Sequence, residues 1–131
     1  MNPLEQFETD TIPTSEGPLA IIFLGHGSLY MTFKGKSIYL DPCGDVTDYT
    51  KLPKADLVVV THDHYDHLDP EALKAIRTAD TRVVQNPGSV EKNPDGMILK
   101  NGDRVSVGGI SIEASRVMHF GANSILPFAD Y

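Results

Sequence analysis

Three of the five histidines in the chain fall between positions 62 and 67, inside the run Thr61-His62-Asp63-His64-Tyr65-Asp66-His67-Leu68-Asp69-Pro70. Imidazole nitrogens beside a carboxylate are borderline to hard ligands. They suit Zn²⁺, Mn²⁺ or Fe and are too nitrogen-rich for a Ca²⁺ or Mg²⁺ cage. In an extended chain His62, His64 and Asp66 are two apart and project to one side, so two imidazoles and a carboxylate can converge. His67 breaks that alternation and points toward a neighbouring spot. Rings crowded this closely repel when protonated, and a bound cation holds them neutral. The bland alternative is a solvated polar loop, against which the histidine density at this place argues.

The elements that flank the cluster give it a position. Upstream, Ala55-Asp56-Leu57-Val58-Val59-Val60-Thr61 is a short apolar, β-branched run that reads as a strand buried on both faces. Downstream, Asp69-Pro70-Glu71 reads as a helix start: a capping carboxylate, a proline at the first helical position and an acid in the first turn. The histidines therefore leave the carboxyl end of a core strand, where connections in proteins of mixed α and β structure carry ligands.

Length and composition narrow the class. A chain of 131 residues, 40% hydrophobic and 22% charged, is expected to build one globular domain with a real core. Its net charge of -7 repels a phosphate backbone, so a nucleic-acid partner is not expected. The single Cys43 forms no internal disulfide and fits a reducing cytoplasm. The longest apolar run, Leu19 to Leu24, is too short to span a bilayer, and the acidic start, Met1 to Glu8, does not resemble an export signal. No membrane partner is expected.

Taken in order, residues 1–17 lack a sustained period and read as a flexible arm, with the domain proper over 18–131. Strands are expected at Leu19 to Leu24, Ser28 to Phe33 and Ser37 to Leu40, forming an antiparallel meander turned by Gly25-His26-Gly27 and Gly35-Lys36. The helix from Asp69 should reach about Thr78, with Ala72, Leu73 and Ile76 on its apolar face. Further strands are expected at Thr81 to Gln85, Met97 to Lys100, Arg104 to Val107 and Ile110 to Val117, the last ending at Met118-His119. Asn86 to Asp95 holds at most a brief helical turn, and Phe120 to Tyr131 shows no clear element.

The step His62-x-His64-x-Asp66-His67 at a strand-to-helix junction resembles the signature of the metallo-β-lactamase superfamily. Around it the chain is similar to the lactonase-like metal-dependent hydrolases of that superfamily. The supporting pieces are Leu24-Gly25-His26-Gly27-Ser28, Gly35 to Pro42, Leu52 to Leu57 and Thr61 to Asp69, so the likeness covers residues 18–119. It implies an α+β fold, an αββα sandwich of which this chain holds the first half, with a mostly antiparallel sheet and one or two helices. It also implies one or two divalent ions. His62, His64 and His119 would hold the first, Asp66 and His67 would help to hold a second, Asp41 would orient a ligand histidine, and His26 would lie near the site. Relatives usually continue further, supplying a bridging Asp in a Gly-Asp step and a final His; neither that step nor a further His follows His119 here.

The activity implied is hydrolysis: a water activated at the cation, Zn²⁺ or else Mn²⁺ or Fe, attacks an ester, lactone or phosphoester of a small-molecule substrate, and Asp66 orients that water or takes its proton. A half-length form could be completed by self-association as a homodimer or by a complementing second half. The alternative is a non-catalytic metal-binding or interaction domain, a remnant whose apolar face serves as an interface. The histidine pair of a TIM-barrel hydrolase is excluded by length, since that fold needs about 200 residues or more. Each residue also has a structural reading: His119 as a polar strand end, Asp41-Pro42 and His26 as turn chemistry, Asp69 as a helix cap, and Tyr65 at the mouth of the cleft.

Overall fold

The structure, a computed structural model, describes residues 3–62, 64 and 67–115, and the backbone of 118–120 and 125–127. The principal sheet has seven strands in the order of the chain: β1 (Thr9–Thr14), β2 (Gly17–Gly25), β3 (Ser28–Phe33), β4 (Lys36–Leu40), β5 (Leu57–Val60), β6 (Arg82–Gln85) and β7 (Met97–Ile98). The first four pair antiparallel, and β5, β6 and β7 add in parallel. The expected meander is therefore β2 to β4, and the sheet as a whole is mixed. The parallel half follows from the connections: the chain leaves β5, passes through helix α1 (Pro70–Ile76) and returns alongside as β6.

Residues 9–14 are not a loose arm. They lie in register with β2, from Thr9 opposite Ile22 to Thr14 opposite Gly17. Leu4 and Phe7 pack on the core, and Phe23 N–H donates to Glu8 O. Every side chain of β1 is exposed, so the strand is held by its backbone ladder and leaves no hydrophobic alternation to read.

The sheet has two apolar faces. On one, Ile22, Leu24, Tyr30, Tyr39, Val58 and Val60 meet Leu68, Leu73 and Ile76 from α1 and the residues just before it. On the other, Ile38, Leu57, Val59 and Val84 meet Val107, Ile110 and Ile112 of a hairpin, β8 (Arg104–Val107) and β9 (Ile110–Glu113). Burial on both sides explains why β5 is a continuous run of Leu and Val rather than an alternating strand. Phe23, on the hairpin's side of β2, is 43% exposed.

β9 is shorter than its alternating sequence suggests. It stops at Glu113; Ala114 still exchanges backbone hydrogen bonds with Asp103 and Gly102, just before β8, and the strand goes no further among the described residues. A separate pair follows, β10 (Met118–Phe120) antiparallel to β11 (Ile125–Pro127), so the tail expected to lack structure contains a strand. The helix also ends earlier than expected, at Ile76, with Arg77 already extended.

Candidate metal centre

The site grows from the carboxyl ends of β4 and β5. Asp41 follows β4 directly, with φ 47°, a backbone region that Asp enters more readily than most residues. Its N–H donates to Val59 O at 2.9 Å, and its carbonyl accepts Ser28 Oγ at 2.6 Å, so it is pinned from both neighbouring strands. The residue is 2% exposed, and both carboxylate oxygens meet donors of the histidine loop. Oδ1 accepts Thr61 N–H at 2.7 Å; Oδ2 faces Thr61 Oγ1 at 2.7 Å and His67 Nδ1 at 2.8 Å.

The histidine loop itself does not stay extended. The N–H groups of His67 and Leu68 both donate to His64 O at 2.9 Å, closing a turn that leads to the helix. His67, expected to point elsewhere, is thereby brought against His62, with ring centroids 3.9 Å apart. His64 stands edge-on to His62 with centroids 4.6 Å apart. The physical reason is the buried Asp41 carboxylate, which draws the His67 ring inward across the start of the turn.

Asp69 begins α1 as expected, its Oδ1 accepting Glu71 N–H at 3.0 Å. It does more than cap: Oδ2 accepts Gly44 N–H at 2.8 Å and ties the loop after β4 to the helix. The turn around His26 joins β2 to β3, with His26 at φ 50°. It borders the site through Gly27, where an added Cβ would stand 3.0 Å from His67 Cε1.

Other expected site residues are not brought into this description. Asp66 lies outside the described residues. His119 lies in β10 opposite Leu126, and its side chain is outside them as well. Among the described residues no group of three His, Cys, Asp or Glu side chains is arranged to hold a metal ion. The described residues thus bring together His62, His64, His67 and Asp41. Thr61 is the participant that sequence reasoning passes over; its only signal is a hydroxyl next to the first histidine.

The donor chemistry suits a transition-metal cation. Neutral imidazole is the favoured ligand form, and a ligand histidine is ordinarily held by a carboxylate or other acceptor on its second nitrogen. His67 has that arrangement with Asp41, and His62 Nδ1 lies 2.9 Å from Thr61 Oγ1. Beside His62 opens a cavity of about 400 Å³ between the ends of β5 and β6 and the β9 strand. Val60, Val84, Leu99 and Ile112 give it largely apolar walls, with Thr61 and His62 at one end.

Residues 20–125 match the family described as the beta-lactamase superfamily domain. A solved structure described as a metal-dependent hydrolase of Parabacteroides distasonis superimposes with a TM-score of 0.82 at 39% identity, covering 89% of this chain and 54% of that one. A metallo hydrolase of Ignicoccus hospitalis shares the fold, with a TM-score of 0.61 at 23% identity over 82% of this chain and 52% of that one. Among curated proteins, a metal-dependent hydrolase of Saccharolobus solfataricus is 28% identical over 126 residues, 78% of this chain and 51% of its own. An N-acyl-phosphatidylethanolamine-hydrolyzing phospholipase D of Caenorhabditis elegans is 31% identical over 86 residues, 53% of this chain and 24% of its own. The chain spans about half the length of the hydrolase from Saccharolobus and of a second curated relative from Pyrococcus abyssi. The match over 20–125 covers most of the polypeptide, and together with the metal-dependent hydrolases it resembles it establishes that the chain belongs to the metallo-β-lactamase superfamily.

Proposed function

We propose that this chain carries the cation-binding half of a metal-dependent hydrolase that cleaves an ester, lactone or phosphoester of a small molecule. His62, His64 and His119 would hold the first cation, and Asp66 and His67 would contribute to a second. Zn²⁺ suits these donors best, and Mn²⁺ and Fe are also accepted by them. When bound, such a cation supplies Lewis-acid polarisation of the substrate and a water that is nucleophilic near neutral pH. The chain's own part is to hold the imidazoles in place through Asp41 and Thr61, to orient the attacking water or take its proton at Asp66, and to seat the apolar part of a substrate in the cavity beside His62.

The observation that carries this reading is the packing of His62, His64 and His67 at the carboxyl end of β5, with the buried Asp41 carboxylate on His67 Nδ1. A structural loop gains little from crowding three imidazoles together when one of them is held by a buried acid. The buried Cys43 is in keeping with a reducing, cytoplasmic setting. The described residues include no helix long and apolar enough to cross a membrane.

The test is metal content of untagged protein, measured beside His62→Ala and His119→Ala. The reading expects bound Zn²⁺, Mn²⁺ or Fe in the parent and its loss in both variants; unchanged stoichiometry in both overturns the ligand assignment. The exposed Phe23 on the hairpin side of the sheet favours a second reading, a non-catalytic metal-binding or interaction domain whose apolar face serves as an interface. A monomer that binds metal and shows no esterase or phosphodiesterase activity would support the non-catalytic form. A dimer whose activity is lost on chelation supports the hydrolase.

A further inference from the structure

We propose that Thr61 is a positioning residue that, with Asp41, commits His62 and His67 to the same tautomer, each carrying its proton on Nδ1. The argument is donor counting. Thr61 has one hydroxyl proton and two near neighbours: Asp41 Oδ2 at 2.7 Å and His62 Nδ1 at 2.9 Å. If the proton pointed at His62, the hydroxyl oxygen and the carboxylate oxygen would face each other at that short separation with no hydrogen between them. An ionised carboxylate buried to 2% exposure cannot tolerate an opposed lone pair, because little water reaches it to compensate. The hydroxyl therefore donates to Asp41, and His62 Nδ1–H donates to the hydroxyl.

The same oxygen of Asp41 settles His67 directly. An ionised carboxylate only accepts, so His67 Nδ1, 2.8 Å away, must carry its hydrogen. One buried acid thus fixes two rings: His67 in one step and His62 in two, through Thr61. Both rings then present the Nε2 lone pair, the form needed to bind a cation. Asp41 also accepts the Thr61 N–H on its other oxygen, so backbone and hydroxyl of Thr61 are set by one group. Thr61 is exposed, and its role rests on the hydroxyl rather than on packing. The use of these lone pairs for metal rests on the proposed hydrolase reading; the tautomers themselves do not.

The experiment is long-range ¹H–¹⁵N correlation spectroscopy of the full chain without metal, which distinguishes the two imidazole nitrogens. In the parent, His62 and His67 should both show the Nδ1–H pattern. Thr61→Val should release His62 and leave His67 unchanged, Thr61→Ser should restore His62, and Asp41→Asn should disturb both. Zn²⁺ affinity by chelator competition should fall by about 10- to 100-fold in Thr61→Val and recover in Thr61→Ser. An Nε2–H pattern for His62 in the parent overturns the proposal without any variant, as does a His62 signal indifferent to Thr61→Val in a folded protein. If the tautomers are as stated but the parent binds no Zn²⁺, the hydrolase reading fails and this one stands.

Discussion

His67 occupies the space that a side chain at Gly27 would need. An ideal Cβ on Gly27 stands 3.0 Å from Cε1 and 3.5 Å from Nδ1 of the ring, whose Nδ1 is held by Asp41 at 2.8 Å. The turn between β2 and β3 is thus shaped to the histidine, and the ring is fixed between a glycine backbone and a carboxylate. Gly27→Ala should keep the fold but push the ring off Asp41 by a few tenths of an ångström. Zn²⁺ binding is expected to weaken about tenfold, the lower end of what losing such a supporting contact costs. Isothermal titration checks this; affinity equal to the parent's would mean that the His67 position carries no weight in binding.

Asp69 joins two elements with its two oxygens, Glu71 N–H at the head of α1 and Gly44 N–H in the loop after β4. α1 has only seven residues, so its start depends on the cap more than a long helix would. Asp69→Ala should lower the unfolding free energy by about 1–2 kcal/mol. Asp69→Asn keeps one acceptor and should lose less. Urea denaturation at neutral pH distinguishes the two, and equal stability of Asp69→Ala and the parent would rule out the bridge.

What the sequence makes legible here is what is local. The run Leu57–Val60 declares a buried strand, and Asp69-Pro70 declares a helix start, because each signal lies within a few residues. The histidine cluster was readable for the same reason. The His67 position was not, because it depends on Asp41, distant in sequence and brought near only by the parallel pairing of β4 with β5. The role of Thr61 is hidden on the same ground, since its hydroxyl meets Asp41 across the same pairing. β1 is not legible because its stability lies in backbone hydrogen bonds, and the end of β9 is not legible because the alternation from Ser111 runs on past Glu113, where the strand stops.

Tyr39 and Tyr49 make alkaline stability a measure of the core beneath the site. Burial is the main cause that pushes both phenols above the ordinary tyrosine value; Tyr39 donates to Pro53 O at 2.6 Å, and Tyr49 Oη accepts Cys43 N–H at 3.2 Å. The folded state therefore favours the protonated form. That contribution is fully present below the unfolded value of about 10 and is lost as pH rises past it toward the raised folded values. Absorbance of phenolate near 295 nm should show these two ionising only together with unfolding, as followed by circular dichroism. Their ionisation in a protein that keeps its native spectrum would contradict the burial argument.

Gly96 closes the loop before β7 over a buried amide pair. Gln85 Nε2 donates to Asn93 O at 2.7 Å, and Asn93 Nδ2 donates to Gln85 Oε1 at 2.8 Å, with Gln85 1% and Asn93 4% exposed. A Cβ at Gly96 would overlap the Gln85 side-chain amide, and it would lie 2.9 Å from Asn93 Nδ2. The Gln85 amide is already committed to Asn93 through both bonds and is shielded from water. Gly96→Ala must therefore break at least one of the paired bonds and leave a buried polar atom unmatched, a cost of about 1–3 kcal/mol. The urea midpoint should fall with an unchanged slope, because the unfolded chain exposes the same surface. An unchanged midpoint would show that the loop can shift away from β6, and that the amide pair does not need glycine at this position.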